Sequence, residues 1–182
     1  MSRKLITAQT EWFAELPEVK KHLNEAGTDN DAYIQELIYA VQSKVEEDYD
    51  LGLNTATWEV YFDKFPKEIE IWMWPIASIE SVKYTDADGD TQTVTSTNYG
   101  TDLVNKPARI IPLDSYSWPD TLVTPNAVQV QFITGFASPA VLPGDLKQAM
   151  YMIIADWMDN REDRGRRFTR VAEIILTKYK YR

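Results

Sequence analysis

Residues 143–162 read PGDLKQAMYMIIADWMDNRE, and the pattern of this stretch decides the fold of the C-terminal part of the chain. Pro143 suits the first turn of a helix, and Asp145 complements the positive end of the helix dipole. One stripe with helical spacing is apolar and consists of Leu146, Ala149, Met150, Ile153, Ile154 and Trp157. The other side is also partly apolar, at Tyr151, Met152, Ala155 and Met158.

We therefore predict a helix with two neighbours. The second neighbour is either part of the same domain or another copy of the chain, which makes the last four residues candidates for a subunit interface.

A second amphipathic helix is predicted between residues 29 and 50. Asp29, Asn30 or Asp31 can cap its start, and Gly52 can end it. Its apolar stripe consists of Ile34, Leu37, Ile38, Val41, Val45 and Tyr49. Acidic side chains line the opposite face, at Glu36, Glu46, Glu47 and Asp50. Such a line is typical of a solvated face. It also suits the wall of a passage where negative charge is wanted, so these four residues are candidates for facing a channel.

Shorter elements are predicted at both ends of the chain. Residues 1–16 are expected to form an extended or loosely ordered arm, and Pro17 then begins a short helix that ends before Gly27. A final helix is predicted from about Arg166 to Lys180. Its apolar positions are Phe168, Val171, Ile174, Ile175 and Tyr179.

The middle of the chain has the two-residue period of β-strands. The clear strands are Thr57–Asp63, Glu68–Trp74, Ser78–Thr85, Thr91–Thr95 and Ala127–Thr134, with weaker ones at Leu103–Val104 and Arg109–Leu113. The segment Asp86–Asp90 is predicted to be a hairpin turn. A calcium loop is disfavoured there, because glycine stands at its fourth position and Thr97 at its twelfth.

These elements predict an α+β fold, in which the N- and C-terminal parts of the chain form a helical bundle and an antiparallel β insertion lies between them. The expected organisation is a single domain of 182 residues, with helices in 1–52, a β lobe in 53–135 and helices with a basic C-terminal segment in 143–182.

Composition argues against several classes of protein. The chain has no cysteine, which removes disulfides, thiol catalysis and cysteine-bound zinc, and it has no apolar run long enough to span a membrane. No phosphate-binding glycine loop or nucleophile motif is present, and His22 is the only histidine. We therefore predict no cofactor, no metal site and no enzymatic activity. A hydrolase using His22 or a carboxylate pair such as Glu68 and Glu70 is a weaker alternative.

Charge is distributed unevenly along the chain. Residues 161–182 contain eight basic and three acidic side chains, whereas the whole chain has a net charge of −9. An acidic body repels free nucleic acid, and a basic segment can bind an acidic partner surface. The alternative is a solvated C-terminal helix whose charges only keep it soluble.

Tryptophan is abundant, and Trp72, Trp74 and Trp118 fall in the β lobe or its loops. Exposed aromatic residues favour protein interfaces. They also suit a module that binds a carbohydrate or a peptide, which is our alternative prediction of function.

Several stretches in combination resemble the head–tail connector (adaptor, or head-completion) proteins of tailed phages and prophages. They are PEVKKHLNEA, DNDAYIQELIYAVQSKVEEDYDLGLNTATWEVYFDKFP, IWMWPIASIESVKYTDADGD and VLPGDLKQAMYMIIADWMDNRE, which together cover most of the chain. The unusually basic C-terminal segment departs from the family pattern.

The resemblance implies a non-enzymatic structural role at the virion neck, in a protein made in the cytoplasm of the bacterial host. Such proteins form rings, usually dodecamers, under the portal, extend the DNA channel without binding DNA specifically, and dock the next neck or tail protein. No membrane is involved. The candidates for docking to portal or tail are Arg164, Arg166, Arg167, Arg170, Lys178, Lys180, Arg182, Trp72 and Trp74.

Overall fold

The computed structural model describes residues 2–160 and 168–180. Within these residues there are four α-helices, α1 (Leu16–Leu23), α2 (Asp31–Tyr49), α3 (Gly144–Asp159) and α4 (Arg170–Thr177). They also contain eight strands, β1 (Ser2–Thr7), β2 (Ala56–Phe62), β3 (Ile69–Ile71), β4 (Ile76–Thr85), β5 (Thr91–Thr93), β6 (Tyr99–Asp102), β7 (Ala108–Pro112) and β8 (Val128–Thr134). All strand pairs in the two sheets are antiparallel. The predicted α+β class with antiparallel sheets is confirmed.

The chain divides into two compact units. The β unit lies within Met1–Gln9 and Thr55–Gly135, and the helical unit lies within Thr10–Asn54 and Phe136–Arg182. The β unit is therefore an insertion between α2 and α3, preceded by a strand from the start of the chain.

The β unit contains a five-stranded sheet in the order β1-β2-β8-β4-β5 and a three-stranded sheet in the order β3-β7-β6. Alternation places Val60, Val82 and Val130 in its core, together with Ile71 and Ile110 from the smaller sheet. β4 and β5 form the predicted hairpin. In its turn, the Asp86 carboxylate accepts hydrogen bonds from the Asp88 and Asp90 N–H groups, and a further bond from Gln92 contributes most to the lowered pKa of Asp86.

Three strand predictions differ from the structure. The segment 1–16 was expected to be an arm, but residues 2–7 pair with β2 as an edge strand whose six residues are all exposed. The strand predicted over Glu68–Trp74 is shortened to Ile69–Ile71. The weak strand expected at Leu103–Val104 lies earlier, at Tyr99–Asp102, where it pairs with β7.

In the helical unit, α3 packs against α1, α2 and α4. All six residues of its predicted stripe are buried. The buried face of α2 contains Ile34, Leu37, Ile38, Val41 and Val45, as predicted, and also Gln42. α2 ends when Asp50 takes the left-handed conformation at φ 51°, two residues before the glycine expected to stop it.

The helix α4 buries a different face from the predicted one. Its buried residues are Ala172 and Leu176, with Phe168 just before the helix, whereas Val171 and Ile174 are 54% and 58% exposed. The packing of α4 against α3 selects this face. The helix begins after Thr169, whose hydroxyl caps it by accepting a hydrogen bond from the Ala172 N–H at 3.4 Å. Within the described residues, no helix is long and apolar enough to cross a membrane.

Candidate assembly surfaces

The four α3 residues predicted to meet another copy are all half-buried. Tyr151 already has neighbours in its own chain, because its ring lies 5.7 Å from the Phe13 ring and 5.1 Å from the His22 ring. Burial, with a smaller contribution from Glu18, raises the pKa of Tyr151 to about 12. Met152, Ala155 and Met158 keep partial exposure, so they remain the part of this set that an additional chain can reach.

The acidic line of α2 separates into two kinds of residue. Glu36 and Glu47 are exposed, and Asp50 is the half-buried left-handed cap. Glu36 and Glu47 belong to a continuous outer face of α2 formed by exposed residues, namely Ala32, Glu36, Tyr39, Ala40, Ser43 and Glu47. Between Glu36 and Glu47, this outer face carries the small residues Ala40 and Ser43 beside Tyr39, whose ring lies 4.1 Å from the Trp12 ring between centroids.

Glu46 has a different environment from the other acidic residues of α2. Its Oε1 accepts hydrogen bonds from the Leu53 N–H at 3.0 Å and from Gln42 Nε2 at 3.2 Å. The buried Gln42 in turn accepts a hydrogen bond from the Phe13 N–H at 2.8 Å. Burial raises the pKa of Glu46 despite these hydrogen bonds. Its carboxylate therefore fastens the segment after α2 to the helix.

The basic C-terminal residues that the structure describes are partly engaged within the helical unit. Lys178 Nζ lies 3.3 Å from Asp145 Oδ2, and the Tyr179 hydroxyl donates to Asp145 Oδ1 at 2.5 Å. The Tyr179 bond is the largest cause of the lowered pKa of Asp145. Lys180 lies over the Tyr49 ring at 5.4 Å, and Arg170 is exposed. The predicted docking residues Arg164, Arg166, Arg167 and Arg182 lie outside the described residues.

The three tryptophans of the alternative prediction do not share one binding surface. Trp118 lines a groove of about 640 Å³ between residues 63–65 and 118–125, whose described lining includes neither Trp72 nor Trp74. One face of Trp118 is stacked on Phe65 with 4.8 Å between the ring centroids, and Lys106 Nζ lies 3.6 Å from the Trp74 ring centroid. Trp72 is 39% exposed. These contacts use aromatic faces that a sugar would need.

Among the groups of the hydrolase alternative, His22 and Glu68 each contact another side chain of their own unit. His22 is exposed and stacks on Tyr151. Glu68 faces Arg109 at 3.6 Å, and the same guanidinium donates to Asp102 at 2.8 Å, which holds the pKa of Asp102 well below its usual range. Across residues 2–160 and 168–180, no group of three or more potential metal ligands is found.

The comparisons with known proteins give likeness at the level of structure. No protein-family model and no curated protein sequence matches the chain. A chain from the neck of an empty gene transfer agent particle, computed with C6 symmetry, matches with a TM-score of 0.84 and 19% identity over 100% of this chain and 96% of that chain. A chain from the virion of the native gene transfer agent particle matches with a TM-score of 0.83, and one from the native neck, computed with C12 symmetry, with 0.74, both at 19% identity and the same coverage.

At this identity the matches establish the fold. The chain has the fold of a neck chain of a gene transfer agent particle along its whole length. The predicted resemblance to proteins of the virion neck is thereby confirmed as a likeness of fold, and the matched chains come from the neck and the virion of gene transfer agent particles.

Proposed function

We propose that this protein is a structural component of the neck of a tailed-phage or phage-like particle. The observation that carries this proposal is the match over the entire chain, at a TM-score of 0.84, to a chain in the neck of a gene transfer agent particle. Those necks were computed with sixfold and twelvefold symmetry, which supports assembly of this chain into a closed ring of identical subunits.

Within the neck, the specific role that we propose is that of the adaptor. A dodecameric ring would dock under the portal, continue the DNA channel and present a surface to the next neck or tail protein. The helical unit acts as one bundle in a single connector domain, with the β unit inserted into it. Outside its basic C-terminal segment the chain is acidic, which suits a surface that DNA passes without being held, because binding to phosphates requires basic side chains.

Docking to portal or tail is proposed for the basic C-terminal segment and for the exposed Trp72. The segment contains eight basic side chains over residues 161–182 and follows an otherwise acidic chain. Charge of one sign concentrated at one end of a protein guides association with a surface of the opposite sign.

A particle that lacks this protein tests the proposal. We expect heads that contain DNA but do not join tails, and we expect the wild-type gene to restore joined particles. Complementation with a variant in which Arg164, Arg166 and Arg167 are all glutamine should give filled heads with few tails attached. Tailed, infectious particles made without the protein would contradict the proposed function. Normal particles made with the triple variant would contradict only the docking role of the segment.

A further inference from the structure

The outer face of α4 is apolar and exposed. Val171 and Ile174 are 54% and 58% exposed, and they lie between the exposed Arg170 and Lys178 along the helix. The opposite side of α4 buries Ala172 and Leu176 completely. Because the helix is held on α3 by that buried side, Val171 and Ile174 are turned away from the core of their own chain.

We propose that the outer face of α4 binds the outer face of α2 in an adjacent copy of the same chain. This inference rests on the proposed ring and names its lateral contact. It assigns Arg170 and Lys178 to that contact instead of to portal docking, and it assigns Glu36 and Glu47 to the contact instead of to the channel wall. The apolar pair on α4 would cover Ala40 and Ser43, beside the Tyr39 ring against which Trp12 of the same chain packs.

The two faces are complementary in charge and in size. On α4, basic residues stand on both sides of two branched apolar side chains, and on α2, Glu36 and Glu47 stand on both sides of Ala40 and Ser43. At a rise of 1.5 Å per residue, the two basic positions are separated by roughly 12 Å and the two acidic positions by roughly 16 Å. The long side chains of arginine and lysine can bridge that difference. Lys178 retains donors beyond the one directed to Asp145, since an ammonium has three.

The two faces point in different directions, as a closed ring requires. Tyr49 of α2 touches the α4 region of its own chain, with its ring 6.4 Å from Phe168 and under Lys180. Ala40 precedes Tyr49 by nine residues and therefore lies about 180° around the helix from it. The outer face of α2 is thus turned away from α4 of the same chain. A contact between two different faces is heterologous, and repeated around an axis it closes a ring.

Cysteine cross-linking tests the contact directly because the chain contains no cysteine. We would combine Ile174→Cys with Ala40→Cys or with Ser43→Cys, assemble each variant with the portal and oxidise it. A disulfide needs Cα atoms within roughly 7 Å of each other. We expect at least one combination to give a ladder of covalent multimers up to the full ring. The matched control is Ile174→Cys with Ala26→Cys, which places the second cysteine at an exposed alanine outside α2 and should give no ladder.

Charge exchange tests the same contact without a cross-link. Arg170→Glu should lower the fraction of assembled rings by about tenfold or more, as expected when one member of a contacting charge pair is reversed. Adding Glu36→Arg or Glu47→Arg to that variant should restore assembly, and the residue that succeeds tells whether the helices run parallel or antiparallel. The control Lys21→Glu makes the same change of charge at an exposed site on α1 and should have no effect.

The outcomes separate this inference from the proposed function. Rings that form normally while neither cysteine combination cross-links would overturn the α4–α2 contact and leave the ring intact. The α4–α2 contact would also be overturned if neither Glu36→Arg nor Glu47→Arg restored the assembly of rings in the Arg170→Glu variant. A wild-type protein that never exceeds the mass of one chain, even with portal, would instead overturn the proposed function.

Discussion

At the scale of single residues, the buried polar groups Gln42 and Glu46 are the feature that hydrophobic patterning misses. Gln42 is fully buried and joins the Phe13 N–H on one side to Glu46 on the other. Glu46 belongs to the acidic line that also contains the exposed Glu36 and Glu47, so the sequence predicts it to be exposed like them. Only the position of the Leu53 N–H, 3.0 Å from its carboxylate, shows the different role.

The raised pKa of Glu46 makes the free energy of unfolding depend on pH. The folded state favours the protonated form of Glu46. The stabilisation that comes from this protonation is complete below pH 4.5, the ordinary pKa of a glutamate, and is lost as pH rises through the pKa of Glu46 in the folded protein. Glu46→Gln keeps an acceptor for the Leu53 N–H and cannot ionise. We therefore expect this variant to unfold at a higher temperature than wild type at pH 7, and the difference to vanish near pH 4.

Thermal unfolding monitored by circular dichroism at both pH values checks this prediction. Glu47→Gln is the matched control, since Glu47 is exposed on the same helix and its removal should change stability little at either pH. A Glu46→Gln variant that is less stable than wild type at pH 7 would show that the charged carboxylate is favoured in the folded protein.

At the scale of secondary structure, long periodic elements could be predicted from sequence and short ones could not. The stripes of α2 and α3 were correct because five or more apolar residues recur in each with one period. In the eight residues of α4, the apolar side chains form two overlapping stripes. These side chains are Val171, Ala172, Ile174, Ile175 and Leu176. Which of the two stripes is buried depends on packing against α3, which the local pattern does not specify. Strand β6 contains Gly100 and Thr101 but no alternating apolar pattern, so its pairing with β7 left no signal.

The two faces of α4 should respond differently to substitution. Leu176→Ala should lower the free energy of unfolding by about 2–5 kcal/mol, because Leu176 is fully buried and its truncation leaves a cavity. Ile174→Ala should change it by no more than about 0.5 kcal/mol, because Ile174 is 58% exposed. The same Ile174→Ala substitution should reduce assembly into rings, owing to the proposed contact with α2 of the next copy.

Chemical denaturation gives the two free energies, and light scattering with portal gives the extent of assembly. A large loss of stability in Ile174→Ala would mean that this side chain packs within its own chain. Normal assembly of a stably folded Ile174→Ala variant would argue against an interface at α4.

At the scale of the whole molecule, the order of elements could be predicted from the sequence. For the surfaces that contact partners, only candidate residues could be named from the sequence. The α+β class follows from the change of period after α2 and its return before α3. The addition of residues 2–7 to the β unit depends on pairing with residues 50 to 59 positions further along the chain, which local pattern does not specify. The exposed residues that contact another chain are determined by the shape and charge of both surfaces, and the sequence of one chain does not specify these.

The most direct test of the central claim is the mass of the purified protein in solution, measured by light scattering alone and after mixing with its portal. The account predicts a ring in at least one of the two conditions, up to twelve copies of the 21.0-kDa chain. A ring that forms only after the portal is added also agrees with the account, since a partner that binds only the assembled form shifts the equilibrium towards it. A mass that stays at one chain in both conditions would contradict the account.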